Sequence, residues 1–387
     1  VTRWILLSVS VSLAGCTASE PARAPGPRGP EPEVRALAPA AAAQPVPSAA
    51  PASAPAEVPT RAAPRFLKGQ THVHTARSYD AHTPPEEVLA FYKQRGYDFV
   101  ALTDHNRVTV VDPPEGLLLV PGVELSQNST VCEPKPTAGY RCLFHTSGLF
   151  VDPLKDTAKG ERIPMAFRPV RSVAYQQQLD IVARLGGVPV INHPLFHFAA
   201  NARLIESLAD QGVRLVELWN ASLDRQNPTS RETAERHGEE LWDEILSSGT
   251  KVFAVATDDA HHFSDAADRK RMGKFAYTGD RAWVMVRAEK NLAAIESAML
   301  AGDFYATTGV TLAKLEAGPG GIELAVEARG GTSYRIRFVG KNGRELASSN
   351  GLGANYTPRG DEGYVRVVVE ADSGEKAWTQ PIWPHSG

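Results

Sequence analysis

From Phe66 onward, short continuous apolar runs alternate with stretches that carry helix punctuation. The runs fall at residues 70–74, 97–103, 117–123, 143–151, 188–192, 215–219 and 252–256. Between most of them the pattern predicts helices. Pro85-Glu86-Glu87 opens one, with proline in the first turn and acids at the positive end of the helix dipole. Others are predicted at 172–185, 201–210, 231–247 and 291–300. Apolar strands alternating with helices place this part of the chain in the α/β class, with a parallel sheet covered by helices. About seven such units in roughly 240 residues suit a barrel better than a short open sheet.

After Gly309 the period changes. Residues 322–328, 334–339 and 364–370 alternate apolar and polar side chains. Gly330-Gly331, Lys341-Asn342-Gly343 and Asp361-Glu362-Gly363 separate them as turns. This pattern predicts half-buried antiparallel strands. A main domain over 66–309 would then be followed by a small C-terminal antiparallel β domain, sandwich-like, over 310–387. The alternative is a strand-rich extension of the main domain.

The N-terminal part follows neither period. Residues 1–16 place Arg3 before an apolar run broken by Ser8, Ser10 and Ser12. That run is far shorter than the ~20 residues a bilayer-spanning helix needs, and has the texture of a signal peptide. Leu13-Ala14-Gly15-Cys16 resembles a bacterial lipobox, which would leave Cys16 as a lipidated N-terminus. Residues 17–65 hold 12 of the 29 prolines, and Ala and Pro dominate. Such a segment buries too little apolar surface to offset ordering entropy, so it reads as a disordered linker. At ~3.1 Å per residue it would reach on the order of 150 Å when extended. The expected chain is therefore exported, anchored to a bacterial membrane through Cys16, and faces the periplasm or cell exterior.

Charge excludes little else. The chain has 44 acidic and 41 basic residues, a net charge of −3, so no nucleic-acid partner is expected. Three cysteines are too few for a disulfide scaffold. With Cys16 lipidated, Cys132 and Cys142 remain in a loop with Pro134, Pro136 and Gly139. Outside the cytoplasm that pair can bridge; the other reading is two free thiols.

All 11 histidines lie after the linker, and many stand with acids where apolar runs end. His72 and His74 are two apart, so in an extended segment both point to one face. Asp104-His105-Asn106 ends the second run, Glu124 the third and Asn192-His193 the fifth. His145 follows Cys142-Leu143-Phe144 in the fourth. Glu217 and Asn220 end the sixth, and Asp258, Asp259 and His261 the seventh. The C-terminal ends of parallel barrel strands converge on one face. Imidazoles and carboxylates gathered there point to metal, in more than one site.

His-x-His-Thr, Thr-Asp-His-Asn, Gly-x-Glu, His-Pro and Asp-Ala-His, in that order over about residues 66–300, resemble the PHP (polymerase and histidinol phosphatase) superfamily. Residues 69–106, with the tail Ala377-Trp378-Thr379-Gln380-Pro381-Ile382, are more narrowly similar to its carbaryl-hydrolase-like branch. The resemblance implies a distorted (β/α)7 PHP-type barrel holding two or three divalent ions. Carried over by position, one ion takes His72, His74, Glu124 and Asp259. A second shares Glu124 and adds His145 and His193. A third takes His105, His261 and one donor from the loop after His74, where Asp80 is favoured over His82. The Asp-x-His spacing selects Asp259 over Asp258.

The remaining polar residues have more than one reading. Asp104 is expected to orient an imidazole, with Asn106 beside it. Glu217 and Asn220 either line the pocket or satisfy backbone groups. Arg77, Arg171, Arg203 and Lys274 are candidate anion-binding groups. His197 and His262 are expected at the pocket or surface, and His237 and His385 in solvent.

Such a site needs no serine or cysteine nucleophile. Ions held by imidazole and carboxylate bring bound water to a pKa of about 7. A metal-bridging hydroxide is then the only catalytic group required. Zn, Mn and Fe all suit these donors. The expected function is metal-dependent hydrolysis of a small-molecule substrate, with phosphoesters first. A carboxylic ester, amide or carbamate is the alternative, and a non-catalytic metal-binding lipoprotein the last.

Overall fold

The computed structural model describes residues 65–136, 139–155, 160–223 and 235–384. The signal, lipobox and linker readings, and His385, lie outside the described residues, as does the side chain of His237. No helix among the described residues is long and apolar enough to cross a membrane.

The first strand is β1 (Phe66–Gln70), followed by α1 (Pro85–Gln94), β2 (Phe99–Leu102), β3 (Leu118–Ser129) and β4 (Cys142–Leu149). Helix α2 (Arg171–Arg184), β5 (Val188–Ile191), α3 (Ala202–Ala209), β6 (Leu215–Asn220), α4 (Glu235–Ser247) and β7 (Phe253–Thr257) follow. Next come α5 (Ala266–Arg271), β8 (Trp283–Arg287), α6 (Leu292–Ala301) and β9 (Phe304–Thr307). The last strands are β10 (Leu312–Gly318), β11 (Gly321–Val326), β12 (Tyr334–Gly340), β13 (Arg344–Asn350), β14 (Gly353–Tyr356), β15 (Arg366–Ala371) and β16 (Lys376–Thr379).

Local chemistry accounts for the helix starts. α1 begins on Pro85, with Glu86 and Glu87 in its first turn and Lys93 in its last. Asn201 caps α3 by accepting from the Leu204 backbone N–H, and Asn291 caps α6 through Ala294.

Strands β1, β2 and β3 run parallel, as do β5, β6 and β7. β4 does not fit the expected parallel sheet: it is antiparallel to both β3 and β5. The segment joining β3 to β4 contains Pro134, Pro136 and Gly139, which cannot build a crossover helix, so the chain turns back beside itself. The two ends of this seven-strand arc meet at one rim. Val73 bridges Ala260 in parallel, His74 N–H donates to the Ala260 carbonyl at 2.9 Å, and Asp259 N–H donates to that of His72 at 3.0 Å.

On the other edge β1 pairs antiparallel with β8, then β9, β16, β15, β12 and β13 continue one 13-stranded sheet. The C-terminal strands are thus continuous with the sheet that carries the histidines. β10, β11 and β14 form a separate three-stranded sheet. Leu312, Ile322, Leu324, Ile336, Phe338, Val367 and Val369 belong to the core shared by these strands.

A second core lies among the strands of the arc and α6, with Leu67, Phe99, Ala101, Val190, Leu215, Val255, Val284 and Met299. Gly69 is needed there, because a Cβ would fall 1.8 Å from the Phe99 ring. Helices α2, α3 and α4 pack outside β5 and β6 through Tyr175, Leu179, Ile205, Leu208, Trp242 and Ile245. These two layers hold the strand ends, and the side chains beyond them, in place.

Candidate metal centre

The rim where β1 meets β7 gathers the imidazoles and carboxylates. Beyond β1 the chain stays extended and aims His72 and His74 at the same place, their Nε2 atoms 3.1 Å apart. β2 ends so that His105 bridges Glu124. Glu124 was expected at a strand end and instead lies inside β3, while His145 lies inside β4, within the fourth apolar run. The antiparallel ladder, with Ser126 opposite His145, carries both strands past the rim. His193 follows β5, and Asp259 and His261 follow β7.

Three adjoining donor clusters result: His72, His74 and Asp259; Glu124, His145 and His193; and His74, Asp80, His105 and His261. Within each, the donor atoms lie inside 4.8 Å of one another. His72 Nε2 and His74 Nε2 are 3.3 and 3.2 Å from Asp259 Oδ1. Glu124 joins all three. Its Oε1 is 3.0 Å from His145 Nδ1, 3.3 Å from His193 Nε2 and 3.4 Å from His72 Nε2, and its Oε2 is 2.8 Å from His105 Nδ1. His74 also stands among the donors around Asp80, besides facing Asp259. Asp80 Oδ2 lies 3.2 Å from His105 Nε2 and 3.6 Å from His261 Nε2. His82, its competitor, is solvent-exposed and belongs to none of these clusters.

Burial makes this concentration of donors costly unless the charges compensate. Burial opposes charge on Glu124 and Asp259, yet the surrounding histidines hold both carboxyls well below their ordinary range. Burial likewise opposes protonation of His72 and His105. Asp259, Glu217 and Glu124 nevertheless raise His72, and Glu124 and Asp80 bring His105 up to about 10. His74 goes the other way: burial and the neighbouring His261 and His105 push it down to about 4.

Asp80 Oδ1 is buried here with no hydrogen-bond partner among the described residues, and Glu124 Oε2 faces imidazole nitrogens, His105 Nδ1 at 2.8 Å and His74 Nε2 at 3.5 Å. Buried acceptors within an imidazole set suit divalent cations. These clusters fit the PHP-type metal site that the sequence resemblance implies.

The strain is also local. His193 has φ 27° and Asp259 φ 48°, left-handed backbone that non-glycine residues rarely adopt, and Asn106 has φ 55°. Tight turns immediately after the strands swing these side chains over the rim.

A layer of polar side chains fixes the donors. Glu217 Oε1 lies 2.6 Å from His72 Nδ1 and accepts from Thr257 Oγ1 at 3.0 Å, and its Oε2 accepts from the His193 N–H at 2.7 Å. Asn220 Nδ2 donates to both Glu217 and Asp259, each at 3.1 Å. Glu217 and Asn220 thus hold the donors, resolving the choice left open by the pattern. Asn106 exchanges bonds with the backbone of Ser126. Asp104 reaches an imidazole through Ser78, whose Oγ is 2.9 Å from His74 Nδ1 and donates to Asp104 at 2.9 Å. Asp258 accepts from Gln70, Tyr92 and the backbone N–H groups of Asp280, Arg281 and Ala282, so it braces the loop after β7.

The expected anion-binding groups fare differently. The Arg171 guanidinium donates to the Pro134, Phe198 and Ala199 carbonyls, tying loops together away from the clusters. Arg203 and Lys274 are exposed. Arg77, exposed as well, lines a cleft with Arg107 next to the loop that carries Ser78. His262 accepts from the Tyr277 N–H at 3.1 Å, and His197 from that of Arg141 at 2.9 Å. Cys132 and Cys142 form a disulfide that ties the start of β4 to the preceding loop.

Sequence reasoning missed Ser78, Ser126, Asn128, Asn192 and Tyr79. Asn192 Nδ2 donates to Glu124 Oε1 at 2.8 Å, and Asn128 Oδ1 is 2.6 Å from His145 Nε2. Asn192 and Asn106 sit beside histidines in their motifs, which was a usable signal. Ser78 and Asn128 carried none, because three-dimensional neighbours define them. A narrow hollow opens beside His193 and Glu217, walled by Leu195, Phe196, Trp219 and Leu223.

No family model and no curated protein matches the sequence. Among solved structures the chain is similar to a two-domain protein from Bacteroides vulgatus that contains a predicted PHP-like metal-dependent phosphoesterase. The two are 15% identical, with a TM-score of 0.43 over 83% of this chain and 95% of that one. It is also similar to an amidohydrolase from Chromobacterium violaceum, 16% identical, with a TM-score of 0.32 over 51% of this chain and 88% of that one.

Proposed function

We propose that the chain is a metal-dependent hydrolase of small molecules, with phosphoesters as the first substrate class. One observation carries this reading: three contiguous imidazole–carboxylate clusters, joined through His74 and Glu124, turn buried carboxylate oxygens toward imidazole nitrogens. Two or three divalent ions (Zn, Mn or Fe) would be held there, by His72, His74 and Asp259, by Glu124, His145 and His193, and by Asp80, His105 and His261. When bound, such ions supply Lewis acidity and bring the pKa of water to about 7.

The chain's own groups do the rest. Glu217 orients His72, Ser78 orients His74 and Asn128 orients His145, each by its contact with the ring nitrogen turned away from the cluster. Asn192 and Asn220 steady the carboxylates of Glu124 and Asp259. Arg77 and Arg107, in the cleft beside the Ser78 loop, suit a charged ester. The hollow beside His193, Glu217 and Asn220 is walled on its other sides by Leu195, Phe196, Trp219 and Leu223, which favours as second reading an uncharged carboxylic ester, amide or carbamate.

The fold that accompanies this reading is a distorted (β/α)7 barrel with a C-terminal β domain. The meeting of Val73 with Ala260 across the rim supports it. The Cys132–Cys142 bridge supports export to an oxidising compartment, with lipidated Cys16 as the proposed membrane anchor.

Metal-reconstituted protein should be assayed on p-nitrophenyl phosphate, its bis-ester and aryl carbamates, and turnover of one group decides between the readings. His74→Ala, which touches two clusters, should lose metal and activity together. Full activity in that variant sinks the assignment.

A further inference from the structure

Tyr79, beside Asp80 and against His105, stands mostly in solvent, 67% exposed. Its ring is nonetheless fixed. It stacks on His105 with centroids 4.8 Å apart and planes 17° from parallel. Its hydroxyl is fixed too, because Asn128 Nδ2 donates to it at 3.1 Å.

Asn128 is itself oriented from the donor side. Its Oδ1 lies 2.6 Å from His145 Nε2, and an amide oxygen only accepts, so that ring nitrogen donates to it. With its oxygen so occupied, the Asn128 amide presents N–H to Tyr79. The phenol oxygen therefore accepts. Its own proton has no acceptor among the described residues, and the ring that carries it lies on His105, a member of the Asp80 cluster. A tyrosine hydroxyl is an O–H donor at neutral pH.

Resting on the hydrolase reading, we propose that Tyr79 is a catalytic residue, whose hydroxyl donates a hydrogen bond to the substrate oxygen that gains negative charge as the ester is attacked. A preorganised donor aimed at developing charge acts mainly in the transition state, because the ground-state oxygen carries less charge. The stacking on His105 and the Asn128 bond hold the phenol in place before substrate arrives, so little ordering is left to pay for.

The test is Tyr79→Phe in full-length, metal-reconstituted protein. The ring and its stacking remain, so folding and metal content should match the parent. The expected result is a fall in kcat of about 10-fold or more, with KM little changed and metal stoichiometry unaltered. Unchanged kcat overturns the proposal. So does loss of metal, which would make Tyr79 a support for His105, and so does a raised KM with kcat intact, which would make it a ground-state contact. If the parent protein, loaded with metal, turns over no phosphate ester or carbamate, the hydrolase reading falls and takes this one with it. Turnover by the parent with an indifferent Tyr79→Phe removes only the role of Tyr79.

Discussion

Ser78 shows how much one hydroxyl can decide. Asp104 accepts from the Thr75 N–H at 2.7 Å, Thr75 Oγ1 at 2.8 Å, Thr109 Oγ1 at 2.5 Å and Ser78 Oγ at 2.9 Å. A carboxylate only accepts, so the single Ser78 proton is committed to Asp104. The serine oxygen must then accept, from the His105 N–H at 3.0 Å and from His74 Nδ1–H at 2.9 Å. That selects the His74 tautomer whose Nε2 lone pair faces Asp259. Ser78→Ala should weaken metal binding by about 10- to 100-fold. Ser78→Thr, which keeps the hydroxyl, should recover part of it. Calorimetric metal titration of the two variants checks this, and equal affinities for Ala and parent would show that Ser78 does not set the tautomer.

At the scale of elements, the β3–β4 ladder stands out. It pairs Gly122 to Ser129 with Leu149 to Cys142, and carries Glu124 on one strand and His145 on the other. The Cys132–Cys142 disulfide closes a ten-residue separation at the loop end of this ladder, where Ser129 pairs with Cys142. A short closed loop of this kind contributes about 2–3 kcal/mol by restricting the unfolded chain. Replacing both cysteines by serine should destabilise metal-free protein by about that much in urea melts and lower its melting temperature. An unchanged melting temperature would mean that the strands hold the loop unaided.

For the molecule as a whole, a charged joint fastens α4 to the C-terminal strands. Arg366, 1% exposed, places Nε and Nη2 on the two oxygens of Asp243 at 2.8 and 2.7 Å. Tyr364 donates to Asp243 at 2.6 Å, and Trp378 Nε1 to Glu239 at 3.1 Å. Arg366→Met would leave Asp243 buried without its cation, a loss of about 3–5 kcal/mol expected in urea melts. A loss below about 1 kcal/mol would place the joint among weak surface pairs. Acid should loosen the molecule in the same region. Burial opposes ionisation of Glu239 and Glu370, but Arg366 and Lys376 hold the first, and Lys376 and Arg337 the second, below the ordinary range. A carboxyl depressed in the folded state contributes stability above its unfolded pKa. That contribution is lost as pH falls through the folded value, so the urea midpoint should drop on acidification below about pH 4.

The donors themselves were legible along the chain. Period-2 placement puts His72 and His74 on one face, and an apolar run ending in Asp-x-His needs no tertiary structure to be noticed. The helix starts at Pro85, Asn201 and Asn291 were legible too, because caps and first-turn residues act within a few positions of themselves. What only the tertiary structure decided depends on distant pairing. β4 runs antiparallel because its connection cannot form a helix, and this moves Glu124 from a strand end to mid-strand. Asp80 rather than His82 meets His105, and Arg171 is turned to backbone carbonyls. Ser78, Asn128 and Tyr79 acquire roles through neighbours 17 to 49 positions away, such as His145 and Asp104. A side chain's chemistry is local and can be read from its letter. Its partner is set by the packing of strands far apart in sequence, which only the folded chain specifies.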